Sequence, residues 1–413
     1  MIDRSLYQRI AGRIDSYRDD MVRMQIELTA IPALAPENGG DGEERKAAYL
    51  AKRLRSLGFD GIEEHRVPDD RVSCGYRPNI AVHIQGKRPD GKVWILTHLD
   101  IVPPGERTAW ENDPYQGFER DGRVYGRGTE DNQQDMVASI FAVKAFLDEG
   151  IRPERPIGLV FVADEETGSK WGIDYLVTNG RISVHETDLV VIPDFGNDDG
   201  SMIEVAEKSV LWVRFQTKGR QCHASKPSLG NNAFLAASNL VVRLQTLHTL
   251  FDAVDPRYDP PGSTFEPTKK EANVPNVNTI PGDDIFYLDC RILPDYSLDD
   301  VLGRMRTIAD EVETAFGVRI EISTIQKLQA PPPTPDNAPV VRALQEAVRE
   351  VYGVSASPVG IGGGTVAAFF RSGGFPAAVW SRIGQNAHQP NESCLIENMI
   401  GNAKVYCRLF LQP

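Results

Sequence analysis

The sequence predicts an α/β fold: a three-layer αβα domain on a mostly parallel sheet, interrupted by a smaller inserted α+β domain, ferredoxin-like in its element order. Three observations predict it. Short, continuous apolar runs that end in acidic or polar residues recur through the first half and return near the C-terminus, as strands buried on both faces require. Helical periodicities alternate with these runs. Between about residues 208 and 328 the pattern changes to alternating, half-exposed strands interleaved with helices. A length of 413 residues also exceeds the usual size of one compact core.

In chain order, residues 3–29 carry Ile and Leu at three- and four-residue spacing and predict a helix. A Gly-rich loop at 38–42 precedes a second helix over 43–57, stopped by Gly58. The strand-like runs are Val93–Leu96 before His98 and Asp100, Ile157–Ala163 before Asp164-Glu165-Glu166, Leu189–Ile192 before Pro193-Asp194, and Ala377–Trp380 ahead of the loop with His388. Over Asn132–Asp148, Met136, Ile140, Val143 and Leu147 share one face, which predicts a crossover helix. The insert reads as strand 210–218, helix 232–250, strand 284–293, helix 298–316 and strand 318–325, with 255–270 a Pro-, Gly- and charge-rich surface loop. Ala330-Pro-Pro-Pro-Thr-Pro marks its exit. The domains are therefore 1–207 with 329–413, and 208–328.

Composition narrows the function. Apolar residues make up 41% and charged residues 25%, ordinary for a globular chain. The net charge of −13 comes without any basic run, which argues against nucleic acid or an anionic membrane as partner. The charged N-terminus lacks the apolar segment of a signal peptide, and no stretch is long enough to span a bilayer. Five scattered cysteines without CxxC spacing read as reduced thiols and a cytoplasmic location.

Ligands of an α/β sheet bind beyond the carboxyl ends of its strands. Collecting the polar residues at those ends gives His98, Asp100, Glu165, Glu166, Asp194 and His388, and the start of the crossover helix adds Asp131. Any one of them alone is better read as structural. Together, so many carboxylates at one sheet edge would repel one another unless a cation neutralised them. Mixed nitrogen and oxygen donors suit zinc, with cobalt or manganese as alternatives.

The segments Thr97-His98-Leu99-Asp100, Gly126-Arg127-Gly128-Thr129-Glu130-Asp131, Asp164-Glu165-Glu166-Thr167-Gly168-Ser169, Pro193-Asp194 and Ala387-His388-Gln389-Pro390-Asn391-Glu392 resemble, in combination, those of the co-catalytic zinc amidohydrolases and peptidases. That family includes succinyl-diaminopimelate desuccinylase, acetylornithine deacetylase, aminoacylase and carboxypeptidase G. The resemblance covers nearly the whole chain. It implies two divalent metals, one held by His98 and Asp194, the other by Glu166 and His388, with Asp131 bridging. It implies Asp100 as the group that orients a ligand and Glu165 as general base. The insert would be a lid and dimerisation domain, whose His223, in Gly219-Arg220-Gln221-Cys222-His223-Ala224-Ser225, stabilises the oxyanion, often across a homodimer. Asn278, Arg291, Gly364 and Thr365 would contact substrate.

Two departures bear on specificity. Where many relatives follow the bridging Asp with Met-Lys-Gly, this chain has Asn132-Gln133-Gln134, and Val366-Ala367 follow the Gly-Gly-Thr. The implied reaction is hydrolysis of an N-acyl amino acid of the succinyl-diaminopimelate or acetylornithine type. The alternative is a dipeptidase or carboxypeptidase with the same mechanism.

Overall fold

The computed structural model describes residues 3–413, and they form two compact units. The first takes residues 3–205, Thr334–Pro358 and Phe369–Pro413; the second takes Ala206–Pro333 and Val359–Ala368. The short stretch Val359–Ala368, which carries Gly364 and Thr365, therefore packs with the second unit.

The first unit is built on an eight-stranded sheet in the order Ile62–Pro68, Tyr76–Ile84, Ile157–Val162, Val93–His98, Leu189–Asn197, Ala377–Arg382, Met202–Glu207, Ser357–Ile361. Its centre, from Ile157–Val162 to Ala377–Arg382, is parallel. Strands Ile62–Pro68 and Tyr76–Ile84 join antiparallel at one edge. Every residue of Val93–His98 and Ile157–Val162 is buried, so both faces are covered and the sheet is the middle of three layers. Helix Gln134–Asp148 packs on these two strands, helix Pro339–Tyr352 on Leu189–Asn197 and Ala377–Arg382, and helix Glu44–Ser56 on Tyr76–Ile84.

The N-terminal helical stretch is two helices, Arg4–Asp15 and Arg18–Thr29, because the chain leaves helical geometry at Tyr17 (φ −91°, ψ 4°). The crossover helix starts at Gln134, two residues later than its periodicity suggests, since Asp131 (φ −111°, ψ 97°) and Asn132 (φ −126°, ψ 37°) are not helical.

The second unit is a four-stranded antiparallel sheet in the order Thr264–Lys270, Asp283–Ile292, Ser209–Lys218, Arg319–Leu328. Helices Ala233–Leu244 and Leu298–Phe316 pack together, and each packs on the sheet. Leu211, Val213, Phe215, Leu240, Phe286, Leu288 and Met305 are among its fully covered core residues. The surface loop expected over 255–270 is corrected here: Thr264–Lys270 is an edge strand. Its register shifts between Pro267 and Lys269 and its last five residues are exposed. Proline and charge, which read as loop signals, are also what an edge strand tolerates.

Candidate functional site

The first unit brings its chemistry-bearing residues to one edge of the parallel sheet. His98 is the last residue of its strand, and Asp194 lies in strand Leu189–Asn197, which runs alongside. Glu165 and Glu166 begin the short turn after strand Ile157–Val162. Asp131 sits in the irregular turn before helix Gln134–Asp148. His388 lies in the loop between strands Ala377–Arg382 and Ser393–Leu395.

Asp131 is the centre of the cluster. Its Oδ1 is 2.9 Å from His98 Nε2 and its Oδ2 is 2.9 Å from His388 Nε2. His98 Nε2 is also 3.4 Å from Asp194 Oδ1, and His388 Nε2 is 3.2 Å from Glu166 Oε1. Two groups result, His98–Asp131–Asp194 and Asp131–Glu166–His388, each with its donor atoms within 4.8 Å of one another. They share one carboxylate.

The electrostatics fit a cation site. Burial disfavours a charged His98, yet hydrogen bonds to Asp100, Asp131 and Asp194 hold its pKa well above the ordinary value. His388 is raised to about 10 by its hydrogen bonds to Asp131 and Glu166. Burial and the neighbouring Asp131 push Glu166 up to about 7. Glu165 is raised well above a normal carboxyl by burial and then by Asp194. Carboxylates here ask for positive charge, and nitrogen and oxygen donors so arranged suit a divalent cation.

Neighbouring groups hold the donors in place. His98 Nδ1 lies 3.0 Å from the Asp100 carbonyl oxygen, which only accepts, so this nitrogen carries a proton and Nε2 faces the carboxylates. The Asp100 carboxylate accepts the N–H groups of Glu165 (3.1 Å) and Glu166 (3.0 Å), fixing that turn. Asn132, at the first departure from the resemblance, accepts the His98 N–H (3.1 Å) through its side-chain oxygen and donates to Asp194 Oδ1 (3.0 Å). It joins two of the donors. Buried Glu392 accepts N–H groups of Gly128, Glu130 and Asp131 and is paired with Arg127.

A model of the peptidase family M20/M25/M40 matches residues 94–412, and an uncharacterized metallohydrolase of Methanocaldococcus jannaschii is 37% identical over 402 residues, 94% of this chain and 98% of the relative. The chain belongs to peptidase family M20/M25/M40. It is a hydrolytic enzyme of the metallohydrolase type, and divalent metal binding comes with the family. The succinyl-diaminopimelate desuccinylase of Paracoccus denitrificans is 26% identical over 407 residues, 94% of this chain and 97% of its own. The crystal structure of aminopeptidase PepT from Bacillus cereus superposes with a TM-score of 0.77 at 17% identity, over 95% of this chain and 98% of that one. That last likeness is one of fold, and it agrees with the α/β architecture of this M20 member.

The remaining residues singled out in the sequence lie in the second unit. His223 pairs with Thr279 in a short ladder, and Asn278 accepts the Ala224 N–H through its carbonyl. The Ser225 N–H donates to His223 Nδ1 at 3.2 Å. The acceptor nitrogen being Nδ1, the ring proton of the neutral form sits on exposed Nε2. The Arg291 guanidinium is engaged by Asp289 (2.7 and 3.1 Å) and by the Gly362 carbonyl (2.9 Å). The Thr365 hydroxyl donates to Glu207 at 2.6 Å, and Gly364 stands beside the same carboxylate. Among the described residues no helix is long and apolar enough to cross a membrane.

Proposed function

We propose that this M20 enzyme hydrolyses the amide bond of a small N-acylated amino acid, with a pair of divalent ions, zinc by preference, held as His98–Asp194 and Glu166–His388 with Asp131 between them. The observation that carries the reading is the split engagement of Asp131, one oxygen toward each imidazole at 2.9 Å. A carboxylate presented this way joins two sites into one. Bound ions would supply Lewis acidity toward the scissile carbonyl and the attacking water.

The chain's own residues do the rest. Glu165, one residue from a ligand and held by Asp100 through its N–H, accepts the water's proton and returns it to the leaving nitrogen. His223 presents Nε2–H as a donor for the oxyanion. Asn278, Arg291, Gly364 and Thr365 contact the substrate. Arg291 would exchange part of its Asp289 pairing for a substrate carboxylate.

The desuccinylase relative supports an N-succinyl substrate, the motifs shared with the deacetylases an N-acetyl one, and a dipeptide is the second reading because the same site chemistry serves peptidases of the family. A panel of N-succinyl amino acids, N-acetyl amino acids and dipeptides, run on zinc- and cobalt-loaded protein with elemental analysis, separates them. Turnover confined to dipeptides removes the deacylase reading. Full turnover after exhaustive chelation removes the metal centre.

A further inference from the structure

Asp131 and His388 are carried by two irregular segments far apart in sequence, and neither is held by regular secondary structure. The loop 383–392 contains Gln385, His388 and Asn391 with φ of 57°, 63° and 61°. Left-handed backbone is disfavoured at residues that carry a Cβ, least so at Asn, so such a loop keeps its shape only if something outside holds it.

The holder is Glu130. Buried to 2% exposure, its carboxylate accepts the N–H of Asn386 (2.5 Å), the N–H of Gly384 and the Asn386 side-chain amide (3.3 Å). The approach is close enough that a Cβ at Gly384 would stand 3.1 Å from Glu130 Oε1. In the opposite direction, Glu392 of the His388 loop accepts the N–H groups of Gly128, Glu130 and Asp131. Each loop sends one carboxylate into the backbone of the other.

We infer that Glu130 is a positioning residue that, with Glu392, clasps the two loops together and sets where His388 stands relative to Asp131. The inference rests on the metal-site reading above. Its consequence is selective. His98 and Asp194 are strand residues held by Asn132 and the Asp100 carbonyl, so their site leans on the clasp only through the turn that carries Asp131 and Asn132. The Glu166–His388 site depends on it more, because the loop that carries His388 is itself held by Glu130.

The test uses Glu130→Ala and the milder Glu130→Gln, which keeps one acceptor but turns an amide NH2 toward backbone donors, with Tyr406→Phe as a control at a buried carboxylate network elsewhere. Two readouts are taken. In metal-free protein, hydrogen exchange of the Gly384 and Asn386 amides should rise in the Glu130 variants and not in the control. In zinc titration with elemental analysis, affinity at one site should fall 10–100-fold while the other, which shares only Asp131 with it, falls by less. Equal weakening of both sites, or unchanged zinc affinity in a variant whose amides have lost protection, overturns the inference. If Glu130→Ala does not fold, Glu130→Gln decides by the same measures. Wild-type protein that binds no second zinc ion would instead overturn the metal-site reading, and the exchange data would still report on the clasp.

Discussion

Glu165 is where a single atom exchange says most. Glu165→Gln keeps the size of the side chain, and its N–H still reaches the Asp100 carboxylate, so the turn carrying Glu166 should stand. What disappears is the ability to accept the water's proton. Turnover should fall about 10²–10⁴-fold, while elemental analysis finds the same metal content as wild type. Retained turnover would remove Glu165 from its role; lost metal would make it a ligand. The residues brought together around Asp131 were legible in the sequence because each stands at a strand end or helix start within a recognisable short segment. Asn132, Glu130 and Glu392 were not legible in the same way. Asn132 was visible only as a departure, and Glu392 only as the end of a motif. All three act on backbone N–H groups or on another side chain's orientation, and those partners are defined only once the loops have taken their paths.

At the scale of elements, the central parallel strands and the crossover helix were readable because full burial on both faces leaves uninterrupted apolar runs. The hairpin of Ile62–Pro68 and Tyr76–Ile84 and the edge strand Thr264–Lys270 were missed. In Ile62–Pro68 and Thr264–Lys270 exposed positions carry charge and proline, and in Tyr76–Ile84 the buried Arg77, Pro78 and Asn79 interrupt the apolar run, so the strand period is masked. Less visible still is the polar tie at the heart of the first unit. Asp135, on helix Gln134–Asp148, accepts hydrogen bonds from Ser381 (2.6 Å) on strand Ala377–Arg382 and from Asn402 (2.9 Å) and Tyr406 on helix Ile396–Phe410. Burial pushes its pKa up to about 6, and these hydrogen bonds limit the rise. A carboxyl whose folded pKa exceeds its unfolded value is most favourable when protonated, so its contribution is present below about pH 4 and is lost as pH rises through about 6. Tyr406→Phe removes a donor to the charged form and raises that pKa further. The variant should lose about 1–3 kcal/mol, with the deficit largest above pH 6 and shrinking toward pH 4. Urea denaturation at several pH values reads this directly, and a deficit that grows on acidification would show that the carboxylate is not the group affected.

For the whole molecule the open question is whether one chain makes a complete enzyme. In the second unit, helix Ala233–Leu244 buries Ala233, Ala236, Ala237, Leu240 and Leu244 against its own sheet. It leaves Phe234, Leu235 and Val242 exposed at 47%, 56% and 69%. The edge strand Thr264–Lys270 adjoins this outer face, with the Lys270 ammonium 4.6 Å from the Phe234 ring centroid. Apolar side chains beside an unpaired strand edge form a surface that a second copy of the chain would cover from both elements at once. We therefore expect a homodimer in sedimentation equilibrium, converted to monomer by Leu235→Asp combined with Val242→Asp. Each copy carries a net charge of −13, and like-charged copies repel over about 10 Å at 0.1 M salt, so an apolar interface should tighten as salt is added. Activity then settles the part of His223. If its Nε2 serves the partner's cluster, the monomeric variant retains its zinc but loses turnover by about the 10²–10³-fold attributed to one oxyanion donor, and mixing it with a Glu165→Gln chain that still associates does not restore it. A monomer with undiminished turnover would place His223 in service of its own chain. A wild-type protein that sediments as a monomer at every salt concentration would leave the exposed face without the occupant argued for it.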